Sequence, residues 1–341
     1  MGSVKDLYIL TPPSEHEPGV GRFHFSDRYS VFDWGEMPDH IPNKGKALAI
    51  IGAYFFEKIE TQGIMTHYIA MIENGHRRRL NNLKEASAVM EVQILRVIKP
   101  EPVNGGYDYS LYKTLYSNFL IPLEIIYRNS VSEGSSILKR LESGQLSLEE
   151  LGLSNISPGQ DLPKPILDIS TKLEPIDRYI NWKEALEIAG LTDDELQEIK
   201  QTLLKINEII TEEYSRIGLK NEDGKIELGF GPQRKLMVVD VFGTPDECRF
   251  TYKGIPVSKE IARIYYRKTP WFKEVEEAKK KDPQNWKALV KSSPEPLPAR
   301  LKELISYVYQ GCANELTGRQ WFDGVPPLKE VLEEVQEFIE V

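Results

Sequence analysis

A charged face on a two-stranded pattern constrains this chain more than any other feature. Residues 223 to 229 run from Asp223 through Lys225 and Glu227 to Gly229, with a polar group at every second position. A strand turns successive side chains to opposite faces, so Asp223, Lys225 and Glu227 share one face. Gly231-Pro232 predicts a turn, and the chain returns as an apolar strand from Leu236 to Phe242, broken only by Asp240. Glu227 and Asp240 then lie side by side on a hairpin. Adjacent carboxylates repel unless a cation or a shared proton intervenes. Magnesium is the usual cation for an all-oxygen site near phosphates. A solvated hairpin face accounts for the same alternation, and the pattern alone does not separate the two.

The 341 residues suffice for one large or two medium domains with sizeable cores. The net charge is −9, and no basic cluster is denser than His76 to Arg79 or Lys279 to Lys281. Both facts argue against nucleic acid or an anionic membrane as a partner. Cys248 and Cys312 are the only cysteines, so neither a disulfide framework nor a structural zinc is expected. No apolar signal segment follows Met1, and the longest near-apolar run, Ala47 to Phe56, is about half a membrane span. A cytoplasmic location is the expectation.

Along the chain, β-rich runs (Leu7 to Leu10, Arg22 to Phe25, Met90 to Ile98) accompany one helix over Lys46 to Gln62. Residues 99 to 118 read as an insertion, Ile121 to Tyr127 as a strand, Ser135 to Leu151 as helical and Ser154 to Pro165 as loop. Two helices follow over Asn181 to Ile217, the second opened by a Thr192/Glu195 capping box. Further helices are predicted over Ser258 to Tyr266, Leu297 to Leu316 and Leu328 to Ile339. This order predicts an α+β chain with a smaller β-rich N-terminal lobe, 1–98, and a larger C-terminal lobe, 99–341.

Other segments carry polar groups suited to anions. Ser26 to Asp33 crowds Asp27, Arg28, Ser30 and Asp33 into a loop after a strand. Lys44, Gly45 and Lys46 stand where a helix begins, and free N–H groups there favour an anion. Arg128 ends a strand and Gly134-Ser135 opens a helix, a combination that suits a phosphate. Arg249, and Lys259 with Arg263 one helical turn apart, extend that possibility. Taken singly, a surface turn or a solvated helix face also explains each segment, and for the Ser26 to Asp33 loop and the Lys259/Arg263 pair it is the better explanation.

Taken in order, these segments resemble one family, phosphoribosylaminoimidazole-succinocarboxamide synthase or SAICAR synthetase. The carrying motifs are Val4 to Tyr8, Ser26 to Asp33, Met37-Pro38-Asp39 with Ile41 to Gly45, Ile121 to Arg128, Gly134-Ser135, Ser170-Thr171-Lys172, Asp223 to Gly229 and Asp240 to Arg249. They extend to about residue 263, leaving the tail from Tyr266 uncovered. The resemblance implies a two-lobed fold akin to kinases and ATP-grasp enzymes, with ATP in the cleft between lobes. It implies ligation of L-aspartate to the carboxylate of carboxyaminoimidazole ribonucleotide (CAIR), with ATP cleaved to ADP and phosphate. Glu227 and Asp240 become Mg²⁺ ligands, and Lys5 and Lys172 phosphate-side lysines. Asp223 and Lys225 join those lysines as the catalytic set. Arg128, Ser135, Arg249, Arg263 and Lys259 become the ribonucleotide phosphate pocket, while Ser30, Asp33, Lys44 and Asp246 face the substrates.

Two positions depart from the family pattern. Ser3 stands where a lysine is usual, and Val241 where a glutamate is usual. They leave room for a non-catalytic nucleotide-binding relative, and the fold class for a small-molecule kinase. The three-membered anion pocket at Arg128, Ser135 and Arg249 favours the ligase. A homo-oligomer is compatible with the sequence.

Overall fold

Short β-branched and aromatic runs, separated by turns, fold the first hundred residues into an antiparallel sheet. The computed structural model describes residues 5–132 and 135–340. Ser3, Val4 and Gly134, which enter the motifs, lie outside the described residues. The first sheet holds β1 (Lys5–Thr11), β2 (Gly19–Phe25), β3 (Tyr68–Glu73), β4 (His76–Arg78) and β5 (Val89–Ile94), in the order β1-β2-β5-β3-β4. Helix α1 (Lys44–Glu60) packs on it through a buried face that includes Leu48, Ile51, Phe55, Phe56 and Ile59. It begins two residues before the expected Lys46. Asp27, from the loop after β2, accepts from the backbone N–H of Asn43 (3.2 Å) and Gly45 (2.9 Å). A side chain at Gly45 would strike the Phe25 carbonyl oxygen at 2.7 Å, so only glycine lets the loop approach this closely.

The expected insertion is a small ribbon, β6 (Glu101–Val103) and β7 (Gly106–Asp108), followed by a short 3₁₀ turn. A second sheet follows, made of β8 (Phe119–Ser130), β9 (Asp161–Thr171), β10 (Lys220–Phe230), β11 (Leu236–Val239), β12 (Cys248–Tyr252) and β13 (Ile255–Pro256). Its order is β13-β12-β10-β8-β9. Along one edge, β10 pairs with β8; along the other, β12 takes its first half and β11 its second. The 240–247 segment therefore crosses beside the middle of β10. The two sheets are stitched together: His67 N–H donates to the Val238 carbonyl (3.0 Å) and Leu120 N–H to the Arg96 carbonyl (2.9 Å).

Between β8 and β9 lie α2 (Ser136–Glu142) and α3 (Leu148–Leu151). The continuous helix expected over 135–151 is broken at Gly144, which takes φ +72°, and Ser147 with Glu150 forms a new capping box. β9 starts at Asp161, inside the stretch read as loop. Its Pro163 and Pro165 are tolerated because β9 is the sheet's edge. Next come α4 (Trp182–Ala189) and α5 (Asp193–Arg216). Thr192 and Glu195 make the reciprocal cap foreseen in the sequence, at 3.2 and 2.8 Å. Helix α5 lays Ile199, Leu203, Ile206, Ile210 and Tyr214 into the core and packs against β8 and β10. The chain ends in α6 (Glu260–Arg267), α7 (Pro270–Lys281), α8 (Ala299–Thr317) and α9 (Leu328–Glu340). Helix α8 runs back onto α1, so the tail supports the first sheet's helix.

The returning strand of the hairpin is shorter than the sequence pattern predicts. It stops at Val239, the cross-strand partner of Glu227, and Asp240 turns into the left-handed region at φ +55°. The turn, rather than strand alternation, brings Asp240 to the charged face. It sends Val241 inward, where its Cγ1 leaves no room for a side chain at Gly52 of α1. Val241→Glu would bury a carboxyl among apolar groups and is expected to cost about 2–3 kcal/mol. Urea unfolding of the variant against the parent measures this, and an unchanged midpoint would show that the side chain at 241 reaches water.

Candidate active site

Alternation along β10 turns Asp223, Lys225 and Glu227 to one face, as the sequence predicts. The register places Glu124 of β8 opposite Glu227, and Arg128 opposite Asp223. Lys172, one residue past β9, closes the row. Its Nζ lies 2.6 Å from Glu227 Oε1 and 2.9 Å from Glu124 Oε1. Lys225 Nζ lies 2.8 Å from the same Glu124 oxygen and 3.7 Å from Glu247. From the other sheet, Lys5 at the start of β1 reaches Asp240 Oδ1 at 2.6 Å. Cations and carboxylates thus alternate across the face, which limits the cost of burying them.

The charges act on one another. Burial and the nearby Asp240 carboxylate push Glu227 up to about 7. Against its own burial, Asp240 is held down at about 2 by Lys5. Glu124 is buried too, yet Lys225 and Lys172 hold it below the usual carboxylate range. Burial opposes the charge on Lys5, Lys172 and Lys225, but the flanking carboxylates keep all three above the ordinary lysine value.

An arginine cluster occupies the far end of the same face. Arg128 Nη2 donates to Asp168 Oδ2 (3.0 Å) and Ser136 Oγ (2.9 Å), and its Nη1 lies 3.7 Å from Asp223 Oδ2. Arg249 reaches that Asp223 oxygen at 3.0 Å and also donates to Ser132. Arg140 adds a second guanidinium to Asp168 at 2.7 Å and lies over the Tyr179 ring. Burial raises Asp223 despite Arg249 and Arg128. Arg128 Nε and Ser135 Oγ are buried without a hydrogen-bond partner among the described residues. Such groups are costly to leave unpaired. A cavity of about 1190 Å³ opens beside Arg140, Asp168, Asp177 and Tyr179.

The remaining expected site residues fall elsewhere. Lys44 and Asp246 lie in the interior, paired at 2.7 Å with side chains 0% and 3% exposed, rather than on an open substrate surface. Tyr309 OH donates to Asp246 Oδ1 (2.6 Å), and Lys259 Nζ to the Asp246 carbonyl (3.3 Å). Burial lowers Lys44 even beside Asp246. The α1 N-terminus is likewise no open anion site, because Asp27 already holds its N–H groups. Arg263 pairs with Glu260 at 3.0 Å on its own helix. Among the described residues, no hydrogen bond or ion pair joins it to the arginine cluster. Ser30 is half-buried in the loop after β2. Asp33 is exposed and meets Lys279 of α7 at 3.3 Å.

The SAICAR synthetase family model matches residues 1–285. The chain belongs to the SAICAR synthetase family. A relative from Archaeoglobus fulgidus, named provisionally as a phosphoribosylaminoimidazole-succinocarboxamide synthase, is 53% identical over the full length of both chains. The phosphoribosylaminoimidazole-succinocarboxamide synthase of Thermoplasma acidophilum is 33% identical, covering 94% of this chain and 98% of its own. Among solved structures, the SAICAR synthase of Saccharomyces cerevisiae in complex with SAICAR superposes with a TM-score of 0.64 at 20% identity, over 94% of each chain. A SAICAR synthetase in complex with ADP gives 0.56 at 22%, over 87% of this chain and 99% of its own. At that identity the likeness speaks for the mixed α/β fold. Family membership makes the chain an ATP-dependent ligase of purine biosynthesis.

Sequence reading assigned no role to several groups on and beside this charged face of the SAICAR synthetase family member: Glu124, Asp168, Arg140, Glu247 and Tyr179. Glu124 left a signal as the one charge inside the apolar strand Ile121 to Tyr127. Asp168 left a weaker one, as it shares a face with Ser170 and its partners become visible only once β8 and β9 pair.

Two outcomes follow from these charges. Asp246→Ala would strand the buried Lys44 ammonium and is expected to cost about 3–5 kcal/mol; denaturant midpoints measure it, and Lys44→Met/Asp246→Leu should recover most of the loss. Glu227, at about 7, sits above its ordinary 4.5. A carboxyl raised by folding holds its proton more tightly in the folded state, so its contribution to stability falls as pH rises from about 4.5 to about 7. Ligand-free Glu227→Gln should therefore gain on the parent across that window, and parallel pH curves would contradict the charge arrangement.

Proposed function

We propose that this face joins L-aspartate to the carboxylate of CAIR, giving SAICAR, ADP and phosphate through an acyl phosphate. One observation carries the reading: the lysine–carboxylate row and the Arg128–Ser135–Arg249 cluster share a single face of β8 and β10. The row suits a triphosphate and its cation, and the cluster suits a phosphomonoester. ATP lies in a cleft between lobes 1–98 and 99–341, in the manner of kinases and ATP-grasp enzymes. The Lys5–Asp240 pair, which joins the two sheets, supports that placement.

A carboxylate is a poor electrophile. Transfer of the γ-phosphoryl group onto it creates a leaving group that the aspartate amine can displace. Such transfer needs positioning and charge neutralisation more than a protein nucleophile. Lys5 and Lys172 hold the phosphates, exchanging their carboxylate partners for phosphoryl oxygens. Arg128, Arg249 and the unpaired Ser135 hydroxyl fix the ribonucleotide phosphate, with Asp223 orienting both arginines. Glu227 and Asp240 would hold Mg²⁺. The strain between these two buried carboxylates is what a divalent cation relieves, and a site with few protein ligands suits an ion that keeps waters and substrate phosphates. Bound there, Mg²⁺ would neutralise charge on the phosphates.

A kinase would need the lysine row but not the arginine cluster. The Val241 departure does not favour a non-catalytic relative, because its side chain is buried against α1, away from the charged face.

ADP release with ATP, Mg²⁺, L-aspartate and CAIR, omitting one component at a time, tests the reading. Dependence on all of them, with SAICAR by mass, is expected; release indifferent to aspartate would point to a kinase. Arg249→Ala should raise the KM for CAIR about tenfold or more while changing the KM for ATP little, since a charge-assisted phosphate contact is lost. Equal effects on the two would remove Arg249 from the pocket.

A further inference from the structure

The amine of aspartate is protonated near neutral pH and must lose a proton before it can attack. Every other carboxylate on the charged face already has a cationic partner. Glu124 has Lys172 and Lys225, Glu227 has Lys172, Asp240 has Lys5, Asp223 has Arg249 and Asp168 has Arg128 and Arg140. Glu174, in the loop after β9, is taken by Arg178 and Tyr109. Asp177, three residues further along that loop, is different: it is exposed, and among the described residues neither of its oxygens makes a hydrogen bond or an ion pair. Its side chain lines the cavity that also reaches Asp168 and Arg140, the inner wall of the arginine cluster. It lies within electrostatic range of Glu124 on β8, Lys172 after β9, Lys225 on β10 and Glu174 on its own loop.

We propose that Asp177 is the general base that accepts the proton of the incoming amine. The inference rests on the acyl-phosphate reading above. The Asp177 carboxylate takes one proton from the ammonium, and the electron pair so freed forms the C–N bond to the acyl carbon. The C–O bond to the phosphoryl group breaks, and phosphate leaves with that bond's electron pair and with the second proton that the new amide nitrogen loses. The proton on Asp177 passes to solvent through the open cavity. Position favours this role: the loop follows Lys172, the phosphate-side lysine, and lines the cavity that reaches Asp168 and Arg140. The charge balance favours it as well. Partial burial, and then the Glu124 carboxylate, raise Asp177 above the ordinary carboxylate value, while Lys172 and Lys225 pull against them, so it is a stronger base than a free aspartate.

Asp177→Asn tests this with two nucleophiles. Hydroxylamine is neutral near pH 7 and traps an acyl phosphate without needing a base. The variant is expected to lose about 10²-fold in aspartate-dependent turnover at pH 7. That loss should shrink as pH rises toward 9, where more of the amine is already deprotonated. Hydroxylamine-supported ADP release should stay within about twofold of the parent, and Asp177→Glu should restore part of the aspartate rate. A normal aspartate rate in Asp177→Asn, or a loss independent of pH and equal for both nucleophiles, would overturn the assignment. If the parent itself forms no hydroxamate, the acyl-phosphate reading falls separately, and the pH profile with aspartate still decides the role of Asp177.

Discussion

Burying like charges together is costly, on the order of several kcal/mol per unpaired ion, and that constraint organises the rest of this structure. The chain meets it by alternation. Along one sheet face, Asp240, Lys5, Glu227, Lys172, Glu124, Lys225 and Glu247 form a row in which each carboxylate has an ammonium within reach. No single strand supplies both signs in the right order. β10 gives Lys225 and Glu227, β8 gives Glu124, the end of β9 gives Lys172 and the other sheet gives Lys5. The row therefore exists only when both sheets are assembled, and assembly and charge neutralisation support each other.

The neutralisation is incomplete in a way that suits catalysis. Glu227 retains a repulsion from Asp240, and Arg128 Nε and Ser135 Oγ lack partners. On the proposed function, substrate phosphates and a divalent cation would remove these residual costs, and part of the binding energy would be prepared in the folded chain. Away from the face, the same physics is used for rigidity. Lys44, Asp246 and Tyr309 tie α1, the 240–247 segment and α8 together in a buried network that anchors the turn carrying Asp240.

Much of the fold was legible in the sequence where local signals are strong. The α5 cap at Thr192 and Glu195, the charged face of β10 and the apolar run of β8 were all visible. Strands whose identity depends on neighbours were not. β9 carries two prolines and looks like loop until its position at the sheet edge is known. Lys44 looked like a substrate lysine because it stands at a helix N-terminus, where free N–H groups favour an anion; only the packing of α8 and the 240–247 segment around it shows that it is interior.

By itself, the sequence determined the chemistry available: a strand with Asp223, Lys225 and Glu227 on one face, an isolated Asp240 in the apolar returning run, arginines and a serine suited to phosphate, and motifs in the order of one family. Those are properties of side-chain type and of a two-residue period, which are local. Tertiary structure decided which charges meet. The left-handed turn at Asp240, the crossing of the 240–247 segment beside β10, the reach of Lys5 from the other sheet and the unpaired position of Asp177 are set by strand order and packing between residues far apart in the chain. Electrostatic energy depends on distance in space, so these pairings could not be read from spacing along the chain.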